Sequence, residues 1–90
     1  MNLYISNYSF ARENASELNK LLKAIDVPEG LEILGNYTFI DEPRGFTIFR
    51  ANHHRDIVSY TQLFRSLIAE FVIRPIEPIS DAYGEVYYCS

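Results

Sequence analysis

The stretch LEILGNYTFIDEPRGFTIFRA, residues 31–51, decides the fold, because it contains two apolar, aromatic-rich runs joined by a compact turn. In the turn EPRG, residues 42–45, proline presets the φ of the second position, and glycine supplies the positive φ that often follows a type I turn. The stretch therefore predicts a β-hairpin with strands at about 31–40 and 46–51.

The pairing register of this hairpin stays open. A slip of one residue exchanges the two faces of a strand, and a bulge in the loop causes such a slip. Tyr37 and Phe39 therefore share a face either with Ile48 or with Phe49. In both registers, large apolar side chains lie on both faces of the strands.

One strand and one helix are predicted on each side of the hairpin. Residues 2–8 carry β-favouring side chains, and residues 10–25 repeat leucine and isoleucine at helical spacing. Residues 57–67 show the same helical period, and EFVIRPI, residues 70–76, is typical of a strand that ends at proline or runs along a sheet edge. The order βαββαβ predicts an α+β domain, a four-stranded antiparallel sheet with two helices on one face.

Ninety residues are enough for one domain. We expect this domain to span residues 1–78, because the last predicted strand ends there. Residues 79–90 show no clear period and are interpreted as a C-terminal tail. In this tail, Val86, Tyr87 and Tyr88 are predicted to add an edge strand, to dock on a partner or to belong to a flexible end.

Composition predicts a folded domain that does not bind nucleic acid. Hydrophobic residues are 48% of the chain and charged residues 22%, which is typical of folded soluble proteins. Eight Lys and Arg stand against twelve Asp and Glu, which gives a formal charge of −4. Affinity for phosphates comes largely from clustered cations, and the sequence contains no such cluster.

The cysteine content excludes several kinds of site. Cys89 is the only cysteine, so neither an internal disulfide nor a multi-cysteine metal site can form within one chain. The N-terminus lacks a basic region followed by a long apolar core, and no run approaches about 18 apolar residues. We therefore expect a cytoplasmic protein that does not enter the membrane, with no bound metal and no cofactor.

Large side chains occupy both faces of the predicted strands, although two helices can cover only one face. Tyr4 and Ile5 in the first strand, and Ile48 and Phe49 in the third, are examples. Burying one such side chain contributes about 2 kcal/mol, so leaving half a dozen exposed forgoes on the order of 10 kcal/mol, comparable to the stability of a whole domain. We therefore predict a homodimer that packs sheet against sheet, with a closed or semi-closed β-barrel between the subunits.

Three motifs carry a resemblance to a known family, namely PEGLEILG at residues 28–35, GF at 45–46 and FVIRPI at 71–76. Over about residues 2–77, the chain resembles a family of small bacterial proteins with the ferredoxin-like, dimeric α+β-barrel fold. Members often carry an Arg-Trp-His-like run after the glycine of the second strand, where this chain has NYT at 36–38. The resemblance implies the fold, and proteins of this fold include cofactor-free monooxygenases, haem-degrading enzymes and ligand sensors.

Four polar residues of the predicted strands are candidate ligand-binding groups. Asn7 and Tyr8 end the first strand, and we place Tyr37 and Arg50 near the open end of the hairpin. Such groups can line a barrel or a cavity between sheet and helices as polar points in an apolar pocket. In cofactor-free monooxygenases of this fold, the resemblance implies that Asn and Tyr groups orient an aromatic substrate and stabilise its anion.

The two histidines, His53 and His54, are adjacent at the start of the second predicted helix. Adjacent helical positions face different directions, so the pair is not expected to hold one metal ion. A single imidazole is sufficient for a haem ligand, and His54 is therefore added to the candidate ligand-binding residues. Solvation at the start of the helix is the alternative role.

Three functions remain open from the sequence. The first is a small homodimer that binds a small apolar or aromatic ligand or a protein partner. The second is a cofactor-free or haem-linked monooxygenase-like enzyme, in which Asn7, Tyr37 and a histidine act on a bound aromatic compound. The third is a structural adaptor. An enzyme predicts an enclosed cavity of roughly 300 Å³ or more with convergent polar groups, whereas an adaptor predicts a filled barrel.

Overall fold

The computed structural model describes the backbone of residues 2–83 and the side chains of residues 2–81. The elements are, in chain order, β1 (Asn2–Ser9), a 3-10 helix (Arg12–Asn14), α1 (Ala15–Ala24), β2 (Leu31–Thr38), β3 (Arg44–Ala51), α2 (His54–Gln62), β4 (Ala69–Ile76) and α3 (Ile79–Tyr83). The four strands form one antiparallel sheet in the order β2-β3-β1-β4. The predicted α+β, ferredoxin-like βαββαβ architecture is confirmed, and it carries one additional helix.

That additional helix, α3, lies in the segment interpreted as a tail. It has five residues and follows Pro78, whose carbonyl accepts a hydrogen bond from the Asp81 amide at 2.9 Å. A helical turn is therefore present where the sequence pattern indicated neither helix nor strand. Val86, Tyr87 and Tyr88, which were predicted to add an edge strand, to dock on a partner or to belong to a flexible end, lie outside the described residues.

The turn of the hairpin lies earlier in the chain than predicted. Its closing backbone hydrogen bond runs from the Phe39 amide to the Arg44 carbonyl at 2.9 Å. Gly45 belongs to β3, is buried and does not have a positive φ, so the predicted conformation of this glycine is wrong. A β-carbon at Gly45 would lie 2.6 Å from the Tyr37 carbonyl oxygen and 3.1 Å from the Tyr8 hydroxyl, so close packing requires the glycine.

A bulge inside β2 decides the register of the hairpin. The pairing with β3 shifts between Ile33 and Gly35, which leaves Leu34 as the extra residue. Beyond the bulge, Tyr37 lies on the same face as Ile48. This is the first of the two registers that the sequence left open.

The second helix is shorter than its periodic pattern predicts. It ends at Gln62, and the chain continues through tight turns, such as the bond from the Phe64 amide to the Thr61 carbonyl at 2.9 Å. Phe64 nevertheless reaches the core, since it is only 4% exposed. The apolar period thus identified Ile57, Tyr60 and Phe64 correctly as buried, but Leu63 is 53% exposed and the helix is shorter than the pattern indicates.

The sheet has a covered face, which packs against α1 and α2, and an open face. The core on the covered face includes Phe49, Tyr60 and Phe64, whose successive ring centroids are 6.1 and 5.2 Å apart in edge-to-face contact. Pairing and alternation place on the covered face Tyr4, Ser6, Tyr8, Leu31, Ile33, Asn36, Gly45, Thr47, Phe49, Ala51 and Ile73. They place on the open face Leu3, Ile5, Asn7, Glu32, Gly35, Tyr37, Phe46, Ile48, Arg50, Val72, Arg74 and Ile76.

Candidate functional site

A row of three short polar side chains crosses the covered face. Ser6, Thr47 and Asn36 are register partners on β1, β3 and β2, and we call them the polar row. Ser6 and Thr47 are buried, and the Thr47 hydroxyl donates a hydrogen bond to the Asn36 Oδ1 atom. Because these side chains are short, they leave space between sheet and helices that larger apolar side chains fill elsewhere on this face.

A small cavity lies over the polar row. Its volume is about 30 Å³, which is enough for one group the size of a water molecule. Leu18 and Leu22 of α1 and Tyr60 of α2 contribute to its walls. Beside these and the polar row, the lining consists of Tyr8, Phe49, Thr61, Phe64 and Ile68.

A cleft between α1 and β2, with a volume of about 260 Å³, adjoins the cavity. Cavity and cleft share Tyr8, Leu18, Leu22 and Asn36 in their linings, so the cavity lies at the inner side of the cleft. The residues that line only the cleft are Phe10, Ala15, Asn19, Tyr37 and Thr38. Among the described residues, none that lines the cavity or the cleft carries a charged side chain.

Two tyrosine hydroxyls belong to this space. Burial raises the pKa of Tyr8, and the Thr47 hydroxyl offsets part of that rise. Burial also raises the pKa of Tyr60, and interaction with the charge that Tyr8 would carry raises this pKa further. Both phenols are therefore neutral at physiological pH, and their surroundings disfavour negative charge.

The Tyr60 hydroxyl lacks a hydrogen-bond partner among the described residues, although the side chain is only 4% exposed. Buried hydroxyls usually have a partner, and leaving one unpaired costs about 1–3 kcal/mol. A molecule in the cavity that bonds to this hydroxyl would remove that cost. Tyr60 thus brings a buried side-chain hydroxyl without a partner among the described residues to the wall of the cavity.

Two of the five predicted ligand-binding residues line this space. Tyr8 lies where cavity and cleft meet. Tyr37 lines only the cleft, and its ring stacks on Phe46 with 5.1 Å between centroids. Tyr37 pairs with Phe46 close to the hairpin turn, so its predicted position near the open end of the hairpin is wrong.

The other three predicted residues lie elsewhere. Asn7 and Arg50 belong to the open face, where an Arg50 guanidinium nitrogen donates to Glu32 at 3.0 Å. His54 begins α2, is exposed and contacts the ring of Tyr4 edge-on, with 5.9 Å between centroids. Within one chain, the five predicted residues therefore do not form a single site.

The sequence analysis missed Ser6, Asn36, Thr47 and Tyr60 as site residues. The signal for the first three is a polar side chain on a buried sheet face, which can be recognised only once the strand register is known. Tyr60 belongs to the apolar period of α2 and therefore looked like an ordinary core residue. Nothing in the sequence distinguishes a tyrosine whose hydroxyl is paired from one whose hydroxyl is not.

The described residues offer hydroxyls, an amide and aromatic rings rather than a set of metal ligands. Between residues 2 and 81, no group of three His, Cys, Asp or Glu side chains is placed to hold a metal ion. No helix in the described part of the chain is both long and apolar enough to span a membrane. The groups that are present are those that orient a small organic molecule.

A four-stranded antiparallel sheet in βαββαβ order, with helices on one face, defines a ferredoxin-like α+β domain. The chain belongs to the family described as Domain of unknown function (DUF3303), whose family model matches residues 2–85. This family membership agrees with the resemblance inferred from the three sequence motifs.

Among solved structures, the chain is similar to a protein from Deinococcus radiodurans that is described provisionally as an antibiotic biosynthesis monooxygenase. The similarity covers 100% of this chain and 99% of that chain, with a TM-score of 0.55 and 14% sequence identity. At that identity, the likeness concerns the fold. No curated protein matches this chain significantly.

Proposed function

We propose that this protein is a homodimer that binds a small apolar or aromatic ligand in the cleft between α1 and β2. The observation that carries the proposal is the combination of apolar walls with a buried polar floor and one unpaired hydroxyl. Leu18 and Leu22 supply the walls, and Asn36, Thr47 and Tyr60 supply the polar groups. Ligand pockets are usually built in this way, mostly apolar with a few polar groups that orient the ligand.

The size of the space favours a small ligand. Pockets for drug-sized molecules usually measure about 300 Å³ or more. The cleft measures about 260 Å³ and its inner cavity about 30 Å³, which suits a compound of one or two aromatic rings. A structural adaptor, by contrast, needs no such space between sheet and helix.

The open face supports the proposed homodimer. Leu3, Ile5 and Ile48 lie near its middle and are only partly buried. An apolar surface of this extent usually marks an association surface. A second copy suits it, because a two-fold arrangement sets the same apolar side chains of both chains against each other.

The monooxygenase-like alternative receives less support from the geometry. It requires Asn7, Tyr37 and a histidine around one aromatic compound, but Asn7 faces the open side of the sheet. His54 contacts Tyr4, which lies about 13 Å along β1 from Tyr8 in the cleft, since four strand residues span that length. Binding is therefore proposed in preference to oxygenation.

A bulky residue at the mouth of the cleft tests the proposal. Ala15 lines the cleft, and Ala24 lies on the same helix outside the lining. We expect 2-methylnaphthalene to shift the amide resonances of Ser6 and Thr47 saturably in an NMR titration of the wild type. Ala15→Trp should weaken this binding at least tenfold by filling the space, whereas Ala24→Trp should leave it unchanged.

Two outcomes would contradict the proposal. One is equal affinity of the two tryptophan variants, because binding would then lie outside the cleft. The other is the absence of saturable shifts in the wild type with this probe. Sedimentation of the same wild-type sample as a single-subunit species would separately contradict the homodimer.

A further inference from the structure

We infer that the inner cavity binds a neutral hydroxyl group, so that the cleft selects uncharged aromatic alcohols and excludes aromatic carboxylates. This inference rests on the proposed function and adds the chemistry of the inner end of the ligand. It follows from the hydrogen-bonding capacity of the cavity, its lack of charge and its size.

The cavity offers one unused hydrogen-bond donor, and one oxygen that keeps acceptor capacity beside its interaction with the Tyr8 hydroxyl. The Thr47 hydroxyl gives its proton to Asn36 Oδ1, so the remaining capacity of the Thr47 oxygen is that of an acceptor. The Tyr60 hydroxyl has no partner among the described residues and can donate. A group between the two must accept one hydrogen bond and donate another. A hydroxyl does both, a carbonyl only accepts, and a methyl group does neither.

The lining also selects against anions. None of the described residues around the cavity and the cleft is charged, and the α1 lysines, Lys20 and Lys23, are exposed and outside the lining. A carboxylate buried without a cation loses its hydration and gains no compensating charge. The raised pKa values of Tyr8 and Tyr60 reflect the same low tolerance for negative charge.

The inner cavity and the cleft differ in volume, so each accommodates a different end of the proposed ligand. The inner cavity of about 30 Å³ accommodates a single oxygen-sized group. The aromatic body then occupies the wider cleft, in contact with Leu18, Leu22 and Phe10. Ser6 and Thr47, which line only the inner cavity, thus contact only the hydroxyl, whereas Asn36 lines both the cavity and the cleft.

Three probes of nearly equal shape test the inference, namely 2-naphthol, 2-methylnaphthalene and 2-naphthoate at pH 7. We expect 2-naphthol to bind about tenfold more tightly than 2-methylnaphthalene, since two hydrogen bonds of ordinary net strength give about that factor. We expect no saturable binding of 2-naphthoate. Dissociation constants come from NMR titrations of the full chain.

Two variants assign the preference to the cavity. Tyr60→Phe removes the donor and Thr47→Val removes the acceptor, and each nearly preserves the shape of the side chain. In both, the advantage of 2-naphthol should fall to about threefold, because one of the two hydrogen bonds remains, while 2-methylnaphthalene keeps its affinity. If one variant fails to fold, as judged by its thermal melting curve, the other alone tests whether the preference depends on the cavity.

The outcomes separate this inference from the proposed function. Equal affinity of 2-naphthol and 2-methylnaphthalene for the wild type would overturn the hydroxyl site while leaving the cleft as an apolar binding site. Binding of 2-naphthoate as tight as that of 2-naphthol would overturn the selection against anions. Failure of all three probes to bind would overturn the proposed function itself, and the inference with it.

Discussion

The two faces of the sheet differ in the side chains that they carry at their centres. The covered face, which lies under the helices, carries the polar row of Ser6, Thr47 and Asn36 at its centre. The open face carries apolar side chains at its centre, including Ile5 and Ile48. The covered face thus buries Ser6 and Thr47 among largely apolar side chains, whereas Ile5 and Ile48 of the open face stay partly exposed.

The difference between the faces indicates which groups of this domain do not stabilise the single chain. A buried polar group stabilises a fold only when it is paired, so the unpaired Tyr60 hydroxyl has no structural benefit. An exposed apolar face likewise contributes nothing to the stability of a single chain. Each face gains stability when it is covered, which is the role of the proposed ligand on one side and of the proposed second copy on the other.

The sharpest test of the comparison replaces neighbouring residues that point to opposite faces. Phe49 is 3% exposed on the covered face, and Phe49→Ala should lower the free energy of unfolding by about 3–5 kcal/mol because it leaves a cavity among Tyr60 and Phe64. Urea denaturation measures the loss. Sedimentation velocity of the folded variant should still report a dimer, and a monomer would indicate that Phe49 contributes to association.

Ile48, on the open face, should show the complementary behaviour. Ile48→Glu places an unpaired carboxylate in the proposed apolar interface and should raise the dimer dissociation constant at least about 100-fold. Analytical ultracentrifugation over a concentration series measures it. The matched control is Ser59→Glu on the exposed side of α2, which should leave the constant unchanged. An unaltered dimer in Ile48→Glu would refute packing through this face.

Two glycines on opposite faces allow a smaller test. Gly45→Ala should cost about 1–3 kcal/mol of stability, because the added methyl group would lie 2.6 Å from a backbone oxygen on β2 that cannot move freely. Gly35→Ala should cost less than about 1 kcal/mol, since its methyl group meets only the ring of Tyr37, which is 53% exposed and can rotate away. Thermal melts compare the two variants, and equal losses would contradict this reasoning.

The smallest expected effect concerns the unpaired hydroxyl. In protein without ligand, Tyr60→Phe should leave stability unchanged or raise it by up to about 1 kcal/mol, because it removes a buried group without a partner. The control is Thr61→Val, which should cost about 1 kcal/mol because the Thr61 hydroxyl donates to the Ile57 carbonyl at 2.8 Å. Chemical denaturation distinguishes them. A loss of stability in Tyr60→Phe would mean that its hydroxyl is already paired.

Much of the fold could be predicted from local patterns. The helical period identified Leu18, Ile57 and Phe64 as buried, and the change to strand-like runs located β2 and β3. These patterns depend on neighbours in the sequence, so they survive without tertiary information. The family resemblance relied on glycine, proline and apolar positions, and it led to the same fold.

The candidate site was less predictable because it depends on pairing between strands. The bulge at Leu34 sets which residues of β2 face the helices, and no local propensity identifies it. Asn36 therefore joins Thr47 and Ser6 only after three strands are aligned. Asn7 and Arg50 lie on the open face for the same reason. Neighbouring residues of a strand point their side chains to opposite faces of the sheet.

The amino-acid sequence by itself determined the order of strands and helices, the absence of a basic surface and the excess of apolar β-surface, since each of these follows from residue types and short spacings. Only the tertiary structure decided which side chains meet across β1, β3 and β2, that Gly45 is needed for close packing, and that Tyr60 lies beside an unfilled space. The physical reason is that strand pairing joins residues far apart in the chain, and a single bulge changes every partner beyond it.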